Sequence, residues 1–282
     1  MIFDLVWHIE VNQLYRFFMH ILIDLLIIGA IAGVLSGLLG IGGGVIVVPT
    51  LAYLFQYTHN GLVPQHLVMQ MAVASSLMAI LFTSAGSTLS HHRKGSLRWD
   101  IWKKWVVGLC IGAVIGAILA ALLSAAKLKF LFAFFLLAIV VKLLAGKWLP
   151  QISLSPRVSV LFCFGLLIGI ASGLLGVGGG ILMVPVLMGA GCSMSESAGT
   201  SSASTVPLAL VGGLSFILTG WMHGVSVPWS TGYIYWPAVL VVGIAGILFA
   251  PLGVKLSYLV PAVWTKRLLA VILLAVSIHM LV

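Results

Sequence analysis

The chain has 282 residues, of which 62% are hydrophobic and 7% are charged, and its mean hydropathy is +1.24. Soluble domains carry about a quarter charged residues, so 14 Lys and Arg with 5 Asp and Glu cannot dress a water-soluble fold of this length. The formal charge of +9 would suggest nucleic acid in a soluble protein; here successive apolar runs of spanning length make a polytopic membrane protein, and the basic residues read as its cytoplasmic loops.

Residues 1–20 read as an interfacial amphipathic segment, with Asp4, Glu10 and Arg16 among aromatics. No cleavable signal peptide is evident. Ile21 to Tyr57 follows as one apolar stretch whose only charge is Asp24. As a straight helix it would reach about 55 Å, against a hydrocarbon core of about 30 Å. A glycine cluster lies near its middle, where glycine breaks helices and permits left-handed turns. The stretch is therefore read as a helical hairpin with a Gly-rich break. Three spans are expected next, at Leu67–Leu89, Trp102–Ala125 and Lys129–Ala145. His91 and His92 fall in the basic loop after the first of them. A polar joint, Ala145–Arg157, closes the first half.

The second half repeats the plan. A hairpin over residues 158–191 precedes spans at Ser195–Trp221, Tyr233–Val254 and Val263–Val282. The repeat is visible in the letters: GLLGIGGGVIVVP at Gly37–Pro49 and GLLGVGGGILMVP at Gly173–Pro185 align without a gap, and the match begins at Ser36 and Ser172. AVASSL (Ala72–Leu77) lies like AGTSSA (Ala198–Ala203). The expected fold is all-α and polytopic, with a first repeat over residues 1–150 and a second over 151–282 in one transmembrane domain. One hairpin plus three spans per half makes the halves inverted. That arrangement puts eleven of the 14 Lys and Arg on one side, as the positive-inside rule favours.

Broken helices in an inverted repeat are a mark of secondary transporters. Unpaired backbone groups cannot face lipid, so they line a cavity or meet a substrate. A helix starting at Gly44 or Gly180 offers free N–H groups and the positive end of its dipole, which favours anions. The candidate anion site is thus Gly40, Gly42, Gly43 and Gly44 with Gly176, Gly178, Gly179 and Gly180. Gly37, Pro49, Gly173 and Pro185 are taken as parts of the helix break. Hydroxyls of Ser75, Ser76, Thr200, Ser201 and Ser202 would add donors. The plain alternative is close helix packing, for which Gly33 and Gly37 have the spacing. Asp24 and Glu196 are the carboxylates available for ion coupling; Glu196 equally suits a first helical turn. Cys110, Cys163 and Cys192 are scattered and read as packing residues. No metal spacing, catalytic triad or cofactor motif is present, so an enzyme is disfavoured and no metal or cofactor is expected. An anion channel, or a structural membrane protein with packing hairpins, stays open as the other reading. The partners expected are a small anion and the lipid bilayer, not nucleic acid; a homodimer is left open.

At the doubled GLLGxGGGxxxxP the sequence resembles the sulfite exporter TauE/SafE family of membrane transporters. The likeness runs from about Asp24 to Val282 and includes Ala74-Ser75-Ser76, Thr200-Ser201-Ser202, the turn His92–Trp99 and GILFAPLGVKLS at Gly246–Ser257. It implies movement of sulfur-containing anions (sulfite, thiosulfate or organosulfonates such as sulfoacetate) across a bacterial cytoplasmic membrane.

Overall fold

A computed structural model describes residues 22–38, 40, 42–57, 63–144, 157–257, 259 and 262–281. The interfacial segment and nearly all of the joint lie outside the described residues. The chain is helical almost throughout. The first half holds α1 (Leu22–Leu38), α2 (Gly44–Tyr57), α3 (Val68–Arg93), α4 (Trp99–Leu122) and α5 (Ala125–Leu144). The second holds α6 (Val158–Leu175), α7 (Gly180–Gly189), α8 (Met194–Met222), α9 (Trp236–Ser257) and α10 (Ala262–Leu281). A two-residue antiparallel ribbon, Ser230–Thr231 with Ile234–Tyr235, precedes α9. Among the described residues, α3, α4, α6, α8 and α9 are long and apolar enough to cross a membrane. The protein is an all-α, multi-pass membrane protein.

Local chemistry sets the helix ends. Ser193 caps α8 and forms a capping box with Glu196, which stabilises the first turn. Gly176 ends α6 in the left-handed conformation, its N–H on the Ser172 carbonyl. Ser124 accepts from the Lys127 N–H, so Ala125 opens α5 rather than ending the preceding span as expected. α3 runs on to Arg93, so His91 is not in a loop but inside the helix and fully buried.

Glycine seams hold the long helices together. Gly29, Gly33 and Gly37 of α1 lie in sequence against Val242, Gly246 and Ala250 of α9, so these helices run parallel. Gly108, Gly112 and Gly116 of α4 meet Phe162, Leu166 and Ile170 of α6 in the same manner. At most of these glycines an added β-carbon would collide with the neighbour's backbone, so the seams depend on its absence. Each half thereby grips the other: the first arm of one hairpin packs on the fourth helix of the opposite half. Gly243 and Gly246 of α9 touch Phe82 and Thr83, which makes α3 and α9 parallel. Arg98, just before α4, and Trp105 and Ala113 within it meet Thr200, Ser204 and Gly212, so α4 and α8 are parallel. α3 and α8 run antiparallel, with Ser87 against Ser202 and Leu77 against Gly212.

The hairpins follow from these directions. Gly43 lies against Ala32, so the chain turns back along α1. Gly44 lies against Ile80 at the middle of α3, and α2 descends from there. At 14 residues it measures about 21 Å, too short to cross the bilayer. α7 has 10 residues and begins at the same depth.

Candidate functional site

The two breaks are conformational copies. Gly40, Gly42 and Gly43 have φ of 68°, 76° and 77°, and Gly176, Gly178 and Gly179 have 68°, 69° and 70°. Left-handed backbone in three of four residues is open to glycine and strained for other L-residues. Space is closed as well. A β-carbon on Gly43 would lie 2.7 Å from the Ala32 carbonyl oxygen, and one on Gly176 would lie 2.6 Å from that of Val73. The breaks also meet: a β-carbon on Gly44 would lie 2.5 Å from the Gly176 carbonyl oxygen. Gly42 and Gly178 flank the same two side chains, Ile80 and Thr205.

Four carbonyls freed by the breaks, two in each, are satisfied by hydroxyls within the protein. Ser201 Oγ donates to Gly40 O at 2.9 Å, and Ser76 Oγ donates to Gly176 O at 3.0 Å. Thr83 and Thr205 donate to Gly42 O and Gly178 O at 3.2 and 2.8 Å. Two further bonds tie the first break alone: Ser87 Oγ to Ser36 O at 3.3 Å and His91 Nε2 with Gly37 O at 3.1 Å. The N–H groups are left over. No side chain caps α7, and among the described residues no acceptor meets the Gly180 or Ile181 N–H. Among the described residues the Gly44 and Val45 N–H groups at the start of α2 meet no acceptor either. Two positive helix ends with free N–H groups among the described residues therefore meet at mid-depth.

These bonds also correct the register of the serine motifs. Ser76 and Ser201 play one role, each reaching across to the opposite break. Ser75 accepts the Tyr235 N–H and Thr200 accepts the Arg98 N–H, both at the entry to the next packed helix. Ser75 thus matches Thr200, and Ser202 stands where the first half has Leu77, one residue away from the alignment by letters. Ser202 Oγ bonds Ser87 Oγ at 2.9 Å. The five hydroxyls expected to face an anion are buried and engaged with the protein in this conformation. Among the described residues the buried hydroxyls with no partner are others: Ser36, Ser84, Ser172 and Ser197. Ser36 and Ser172 were visible as the first letters of the matched stretch. Ser172 Oγ abuts Gly179, the residue that caps α7.

Other expectations fall elsewhere. Gly37 and Gly173 do not break helices: they lie inside α1 and α6 in the packing seams. Pro49 and Pro185 lie inside α2 and α7, which continue past them. Glu196 sits in its capping box, 3.6 Å from Arg98, two residues before Ala198, which packs on Gly40. Asp24 is exposed on α1. Among the described residues no cluster of His, Cys, Asp and Glu could hold a metal. Ile80 and the Thr205 methyl fill the space between the breaks. A cavity of 670 Å³ lies apart from them, bordered by Pro49, Gln56, Val68, Lys129 and Ile278.

Interlocked apolar helices around paired helix breaks are the architecture of a multi-pass membrane transporter. The chain belongs to the family described as Sulfite exporter TauE/SafE, whose profile matches residues 25–280. It is similar to a probable membrane transporter protein of Haemophilus influenzae, 33% identical over 90% of this chain and 96% of that protein. It is also similar to one of Methanocaldococcus jannaschii, 28% identical over 91% of this chain and 94% of that protein. A third, YdhB of Bacillus subtilis, is 27% identical over 83% of this chain and 89% of that protein. No solved structure matches this chain.

Proposed function

We propose that this protein is a secondary transporter that carries a small sulfur-containing anion, sulfite, thiosulfate or an organosulfonate such as sulfoacetate, across the bacterial cytoplasmic membrane by alternating access. One observation carries the reading: at the paired breaks hydroxyls satisfy the Gly40, Gly42, Gly176 and Gly178 carbonyls, whereas among the described residues the first two N–H groups of α2 and of α7 meet no acceptor. A site with unspent donors and two positive helix ends favours an anion and disfavours a cation. Gly40, Gly42, Gly43 and Gly44, with Gly176, Gly178, Gly179 and Gly180, let the ligand approach the backbone. No full positive side chain holds it, so binding is moderate and release is easy. The hydroxyls of Ser75, Ser76, Thr200, Ser201 and Ser202 change partners as one half rocks against the other.

The two halves form an inverted repeat. The antiparallel course of the matched helices α3 and α8 supports this, and so does the charge. Arg93, Lys94, Arg98, Lys103, Lys104, Arg157 and Lys255 gather at one end and Lys127 and Lys129 at the other. The first end is the cytoplasmic one. The filled centre between Ile80 and Thr205 favours a carrier over an open pore.

The test is uptake into liposomes of labelled sulfite, thiosulfate and sulfoacetate, with sulfate and chloride as competitors. Saturable uptake of one sulfur anion is expected, with loss in Gly43→Val. No uptake of any of them by folded protein would discard the sulfur assignment and turn the search to other small anions.

A further inference from the structure

The two halves differ on one buried face. Ser75 and Ser76 match Thr200 and Ser201, which places Thr83, Ser84, Ser87 and His91 of α3 opposite Leu208, Ala209, Gly212 and Phe216 of α8. The α3 set recurs at helical spacing on one face and runs from the central breaks to the basic end of the molecule. All four residues are buried, as are their α8 counterparts. One set is wholly polar and the other wholly apolar.

Packing explains part of the polar set. Thr83, Ser87 and the His91 Nε2 tie down carbonyls of the first break. It leaves three atoms unexplained: among the described residues Ser36 Oγ, Ser84 Oγ and His91 Nδ1 have no partner. Ser84 Oγ lies beside Gly42, and Ser36 belongs to the last turn of α1. An unpaired buried polar atom opposes folding, so such groups point to a ligand or water that visits them. At the matched place in α8 the file is closed by the Phe216 ring, edge-to-face on Tyr233 at 6.2 Å.

We infer that this face of α3, with Ser36, is the lane along which a small oxyanion moves between the central breaks and the basic end, and that the matched face of α8 is the seal toward the opposite end. The inference rests on the transport reading above. Ser36 and Ser84 offer free hydroxyl donors in turn, and His91 stands at the outer end. Beyond it this end of the molecule carries Arg93, Lys94, Arg98, Lys103 and Lys104, with Asp100 and Glu196 paired to Arg98. Such a basic end draws anions in.

The lane is tested by thiol labelling in protein whose Cys110, Cys163 and Cys192 are replaced by Ala. Ser84→Cys and Ala209→Cys are compared in vesicles of known orientation. The probe is the anionic methanethiosulfonate ethylsulfonate, with its cationic ethylammonium analogue alongside. The expected result is that Ser84→Cys reacts from the basic-end side at least about tenfold faster than Ala209→Cys from either side, and faster with the anionic probe than with the cationic one. Should Ser84→Cys fail to fold, Ser87→Cys answers the same question. Equal or absent labelling of the two positions in folded protein would overturn the lane. The labelling needs no transported substrate, so failure of sulfur-anion uptake discards the sulfur assignment and leaves this outcome separate.

Discussion

Gly43 and Gly37 show how one residue type does two jobs six positions apart. Gly37 is helical and is required because Ala250 and Val254 press on it; Gly43 is left-handed and is required by its own backbone. Gly43→Val and Gly179→Val each add left-handed strain of about 1–3 kcal/mol and a collision, so uptake should fall at least about tenfold in liposomes. The serines should behave as structural donors. Ser76→Ala or Ser201→Ala leaves a buried break carbonyl unpaired, and a loss of about 1–2 kcal/mol is expected in thermal or denaturant unfolding. His91→Phe copies the second half and should reduce uptake more than it reduces the unfolding midpoint.

Elements owe their lengths to the breaks and their partners to the seams. α2 and α7 are short because the chain must turn back at mid-depth, not because Pro49 or Pro185 stops them. Proline removes one N–H and bends a helix, yet each lies past the first turn with helix on both sides. Pro185→Ala is therefore expected to keep the fold, with purified protein eluting as the wild type does. The seams are less tolerant. Gly112 faces the Leu166 carbonyl and Gly169 faces that of Leu109, so there is no room for a side chain between α4 and α6. Gly112→Leu should push these helices apart and abolish recovery of folded protein, whereas Ile115→Ala, on an exposed part of the same helix, should be recovered normally.

Across the whole molecule, the seams interlock the halves: α1 grips α9 and α6 grips α4, while α3 and α8 cross at the centre. Neither half buries its glycine arm without the other. Apolar side chains such as Ile111, Phe134, Ile244 and Leu248 are exposed and face lipid. Trp99 and Trp102 mark one end and Trp221 and Trp229 the other, as aromatic belts do at both interfaces. The inverted arrangement makes a prediction at this scale. In a cysteine-free background, Arg93→Cys should be labelled by an impermeant reagent from the cytoplasmic side and Ser124→Cys from the opposite side. Labelling of both from one side would exclude it.

Apolar length and a doubled GGG leave few alternatives in a bilayer, so the membrane class and the two glycine breaks follow from the letters alone. The helix after each break was legible to within a few residues, since hydropathy tracks what lipid accepts. Tertiary structure alone decided which hydroxyls do what. Ser75 and Ser76 are adjacent letters, yet one receives a backbone N–H from α9 and the other supports the opposite break. It also decided that Gly37 and Gly173 pack while Gly40 and Gly176 turn, and that His91 lies buried in α3 and not in a surface loop. The reason is physical. Hydropathy and glycine content act along the chain, but a hydroxyl or a missing β-carbon acquires its role from the backbone that comes to lie against it, and here that backbone belongs in most cases to the other half.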